Sequence, residues 1–145
     1  MFSAGGRRNE LREAYANVNF PEAERLNDVL GYIRSTVTDD KIYQHYETAV
    51  AEMKKSYGMV YRQALQSFEP ADIFVWLYRL SDGFLNLLKE RAQEALVIFA
   101  FYCVIPKRLE SNWWIEGWSA HLMSRIFHVL DQEHRLWIRW PIEEM

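Results

Sequence analysis

From Ala95 to Ile105, between Glu94 and Pro106, the chain carries no charged side chain. A run of this length is far short of the roughly 20 apolar residues that span a bilayer. It is also too apolar on every side to lie along a wet surface. The rest of the chain must wrap around it. A helix from about Ala92 to Arg108 is predicted here, as the central apolar element of a single all-α domain.

The flanking segments carry patterns suited to that wrapping. Leu26, Val29, Leu30, Ile33 and Val37 fall at helical spacing behind Pro21 and the acids Glu22 and Glu24, the signature of an amphipathic helix with its N-terminus at Pro21. Thr38-Asp39-Asp40 offers N-cap chemistry for a second helix, whose stripe of Ile42, Tyr46, Ala49, Met53, Tyr57, Val60 and Ala64 lasts to about Gln66. Gly58 lies inside it, where a bend or a close helix contact is expected. Phe74 to Tyr78 is too short to classify by period and is read as extended or as one helical turn. Ser81-Asp82 caps a short helix with Phe84, Leu85 and Leu88 inward. Ser111-Asn112 caps another, from Trp113 to about Leu130. Glu133 to Trp140, stopped by Pro141, fits helix and strand equally. Residues 1–20 are expected to be a flexible lead-in and 21–145 the folded domain, since 145 residues suffice for one core and not two.

Composition removes several function classes. Seventeen basic against twenty acidic side chains leave a net charge of −3, the wrong sign for holding nucleic acid by phosphate neutralisation. Cys103 is the only cysteine, which excludes an internal disulfide and a cysteine-built metal cluster and fits an intracellular setting. It sits in the most apolar segment, where burial makes a thiol inert. His121 and His128 share a helix face but lie about 10 Å apart along its axis, too far for one zinc ion. With no glycine-rich phosphate loop, GxSxG or HExxH, the chain is read as a non-enzyme without metal or cofactor.

Tryptophan is the unusual component. Of six, five stand in the last third: Trp113, Trp114, Trp118, Trp137 and Trp140. Such a cluster marks either a heavy core or a ligand or partner surface. A stacking platform for single-stranded nucleic acid, with Arg135 and Arg139 interleaved, conflicts with the acidic balance.

In order and spacing, Leu80-Ser81-Asp82-Gly83-Phe84-Leu85-Asn86-Leu87-Leu88-Lys89-Glu90-Arg91, the run Ala95 to Cys103, Trp113-Trp114-Ile115-Glu116-Gly117-Trp118 and Asp131 to Pro141 resemble the C-terminal region of fungal zinc-cluster transcription factors of the sterol uptake control family. The resemblance covers about the last half of the chain, and W-x-E-G-W and R-L-W-I-x-W-P are its specific parts. It implies an all-α effector domain that senses a sterol or other lipid, ergosterol in some members, and controls an attached DNA-binding domain through conformation and self-association. It implies the nucleus as the setting, with the cytoplasm as the other. The six-cysteine cluster of that family is missing from a chain with one cysteine, so the chain is read as the sensor-like half, a truncated product or a free-standing relative.

Phe99, Tyr102, Cys103, Trp113, Trp114, Trp118 and Leu122 are the candidate ligand-lining residues, chosen for apolar character and nearness to the family motifs. Gly117, at a helix start where a good helix former is expected, is read as a conformational point of close approach to a neighbouring helix or a ligand. The alternative function is an interaction module that dimerises or docks a co-regulator, whose tryptophans are core and which has no small-molecule pocket.

Overall fold

The computed structural model describes residues 10, 12–14, 20–63, 71–108 and 117–145. Every regular element among them is helical: α1 (Pro21–Thr36), α2 (Asp40–Gln63), α3 (Ala71–Tyr78), α4 (Asp82–Lys89), α5 (Gln93–Tyr102), α6 (Val104–Arg108), α7 (Trp118–Val129), α8 (Gln132–Trp137) and α9 (Arg139–Glu144). No helix is long and apolar enough to cross a membrane among the described residues. The protein is all-α.

Local chemistry starts and stops these helices where the sequence places it. Pro21 opens α1, which buries Ala23, Leu26, Val29 and Ile33. Asp39 Oδ1 accepts from the backbone N–H of Lys41 at 2.9 Å and of Ile42 at 3.2 Å, satisfying donors that a helix start leaves unpaired. Ile42 itself lies on the exposed side of α2. Ser81 Oγ accepts from Phe84 N–H at 3.1 Å and starts α4. The segment Phe74 to Tyr78, open between two readings in the sequence, is the body of α3. Trp76 there is fully buried and donates its indole N–H to the Ala49 carbonyl at 2.9 Å, so α3 is pinned against α2.

α5 packs against α2, α4, α6, α7 and α8, and buries Ala95, Val97, Ile98, Ala100, Phe101 and Tyr102. The single helix expected from Ala92 to Arg108 is instead two, broken at Cys103. Pro106 is the physical reason: it has no N–H to give the carbonyl four residues back, and its ring crowds that carbonyl, which belongs to Tyr102. Next to the break, the Tyr57 hydroxyl of α2 donates to the Phe101 carbonyl.

The lead-in expected over residues 1–20 is anchored in part. Arg12 is buried against α2, donating to Ser56 Oγ at 2.7 Å, to the Glu52 carbonyl at 2.7 Å and to Glu52 Oε1 at 3.1 Å. Phe20 is also buried. A charge this deep is tolerated because both terminal nitrogens of its guanidinium are matched, while the buried Nε is left without a partner.

Candidate functional site

Glu133 to Trp140, equally open to helix and strand in the sequence, folds as α8 and the start of α9. Asp131 sets the entry: its Oδ1 accepts from His134 N–H and from His134 Nδ1, both at 2.8 Å. The amide and ring bonds from His134 hold the Asp131 carboxyl below its ordinary range. Gln93 ties this turn to α5, accepting from Asp131 N–H at 2.8 Å and donating to the Val129 carbonyl at 3.4 Å. Arg135 Nε donates to the Phe127 carbonyl at 2.8 Å while its guanidinium covers the Phe127 ring at 4.3 Å. Pro141 is tolerated because it falls in the first turn of α9, where its missing N–H is not needed.

Two clefts flank α9. The first, about 410 Å³, runs between α1 and the α8–α9 pair, with Phe101 at its base and Tyr32, Trp137, Trp140, Arg25 and Arg139 among its walls. Tyr32 and Trp137 are 5.7 Å apart between ring centroids, as are Phe101 and Trp140. The second, about 320 Å³, is walled by Ala120, Met123, Ser124 and Phe127 of α7 with Ile142 and Met145 from the C-terminal end. Ser124 is the one polar side chain in that set.

Of the sequence-based candidates among the described residues, Phe99, Tyr102, Cys103, Trp118 and Leu122 do not line either cleft. Phe99 and Tyr102 meet at 5.8 Å, and Trp76 lies 6.2 Å from Phe99 and 5.1 Å from Tyr102. They are packed against each other as core. Cys103 is fully buried, and burial pushes its thiol up to about 12. Trp118 makes an edge contact with Phe74 at 6.2 Å, and Leu122 is half-buried against the core. Trp113 and Trp114, with the cap expected at Ser111-Asn112, lie outside the described residues.

A Cβ added at Gly117 would meet no described atom within 4 Å, so close approach to a described neighbour is not what the position requires. Its φ of +80° is the left-handed region that glycine adopts without strain. Its role at the start of α7 is therefore backbone geometry.

Arg25, Tyr32, Met123, Phe127, Ile142 and Met145 were not singled out by sequence reasoning. Trp137 and Trp140, at the end of α8 and in α9, belong to the tryptophan cluster singled out in the sequence, which was the one usable signal for this cleft. No family model, curated protein or solved structure matches the chain.

Proposed function

We propose that the chain is a non-catalytic regulatory domain of the fungal zinc-cluster transcription factor type, which binds a sterol or similar lipid and relays its presence through conformation and self-association. The specific resemblance to the sterol uptake control family supplies the ligand class and the nuclear setting. The structural observation that supports it is the second cleft, whose lining side chains are apolar apart from Ser124. A rigid apolar molecule with one hydroxyl suits such a wall. The ligand surface thus moves from the buried Tyr102 and Cys103 to the other side of α7.

The test is titration of the purified chain with ergosterol and with unrelated lipids, read by tryptophan fluorescence and melting temperature. A saturable change with ergosterol that is weakened by Ile142→Gln, an exposed position, supports the reading. No saturable response to any lipid overturns it.

A second reading, an interaction or dimerisation module, is favoured by Leu136, 74% exposed, and Tyr32, 49% exposed, beside the half-buried Trp137. Concentration-dependent sedimentation of the lipid-free chain, altered by Leu136→Ser, would support it instead.

A further inference from the structure

The first cleft has a different chemistry from the second and is independent of the lipid reading. Its aromatic wall joins three elements: Tyr32 from α1, Trp137 from α8 and Trp140 from α9. Over that wall stands a fixed cation, for the Arg25 guanidinium lies 5.0 Å from the Trp140 ring centroid. Among the described residues Arg25 has no carboxylate within ion-pair distance, and the indole is its one recorded partner. A guanidinium laid on a ring keeps its N–H edge free, and that edge matches the two oxygens of a planar acid group.

The other charges of the cleft narrow the ligand. Arg139 Nε is already 3.4 Å from Glu143 Oε2, so these two offset one another. Asp28 lines the cleft three residues on from Arg25 and disfavours a second negative charge. A volume of about 410 Å³ is in the range of small-molecule sites and far below what a polymer needs. We infer that this cleft binds an organic monoanion with a flat apolar body, a polycyclic or aromatic carboxylate or sulfonate. Its rings lie against Tyr32, Trp137 and Trp140 and its acid group meets Arg25.

Anilinonaphthalene sulfonate and its uncharged counterpart, phenylnaphthylamine, test this on the intact chain, since they share a ring system and differ in the acid group. The expected result is saturable sulfonate binding that Arg25→Gln weakens by about fivefold, with phenylnaphthylamine binding unchanged by that substitution. Asp28→Asn, at an exposed position, should strengthen sulfonate binding by about threefold. Ile142→Gln, in the other cleft, should leave sulfonate binding as it is, which separates this site from the lipid groove. Sulfonate binding that is insensitive to both Arg25→Gln and Asp28→Asn, or no saturable binding, overturns the inference. Circular dichroism of each variant checks that it is folded. Should Arg25→Gln fail that check, Asp28→Asn decides alone.

Discussion

Trp76 lies nearly flat on Tyr102, with ring centroids 5.1 Å apart and planes 21° from parallel. The pair welds α3 to α5, and the indole N–H adds a bond to α2. Both rings are fully buried, so no water compensates for a missing one. Trp76→Ala should cost about 3 to 5 kcal/mol in urea unfolding. A loss below 1 kcal/mol would mean that this cluster is not the centre of the core.

Among the described residues two have left-handed backbone, Gly117 at φ +80° and Arg91 at φ +58°. Gly117→Ala should destabilise by about 1 kcal/mol, and Gly117→Asn by less, because asparagine tolerates this region better than alanine. If close approach governed the position, the larger asparagine would be the worse. Arg91 follows α4, where its N–H reaches the Leu88 carbonyl and that of Ala92 the Leu87 carbonyl, a helix ending that favours glycine. Arg91→Gly should therefore raise stability by about 1 kcal/mol. Melting curves of the three variants check both statements.

Gly83 faces the His45 ring so closely that a Cβ there would collide with it. Gly83→Ala alone should cost about 1 to 3 kcal/mol through overpacking. In a His45→Ala background the same change should stabilise by about 0.5 to 1 kcal/mol, because alanine suits a helix better than glycine. The reversal of sign, measured by a double-mutant cycle, is the diagnostic.

Acid should release the N-terminal anchor. Burial pushes the Glu52 carboxyl up, but the bonds from Lys55 and Arg12 outweigh it and leave it below the usual range. A group held low when folded contributes stability above its unfolded pKa and loses it as pH falls through the folded value. Amide exchange at residues 12–14 should therefore accelerate below the ordinary carboxylate range, and Glu52→Gln should make that segment insensitive to pH there. Arg12→Ala should cost about 1.5 to 3 kcal/mol at neutral pH, since it removes charged hydrogen bonds.

Much of the fold was legible because its helices are announced locally. Pro21, Asp39 and Ser81 stand at helix starts, and the stripe of Tyr46, Ala49, Met53, Tyr57 and Val60 is buried as its spacing requires. The break at Cys103 was not read from the sequence, whose apolar run predicts one helix from about Ala92 to Arg108, although Pro106 supplies its physical reason. What was not legible was which apolar side chains would face each other. Tyr102 and Cys103 sit where a lining wall was expected, yet the partners that close over them come from α2 and α3, distant in the chain. The clefts arise from the docking of α8 and α9 onto α1 and α7. That docking depends on single bonds, such as Gln93 to Asp131 and Arg135 to Phe127, that no periodicity encodes.

The six residues of α9 are a partition between two rooms. Arg139, Trp140 and Glu143 face one cleft, and Ile142, followed by Met145, faces the other. A wall so short, held to α6 by the Arg108–Glu144 pair at 3.2 Å, cannot be displaced on one side alone. If both clefts take the ligands proposed for them, a displacement of α9 would link their occupants thermodynamically, and such linkage is reciprocal. The factor by which saturating ergosterol changes the affinity for anilinonaphthalene sulfonate must equal the factor by which the sulfonate changes the affinity for ergosterol. A factor of one would show that α9 is rigid, and that this domain carries two separate receptors on one scaffold.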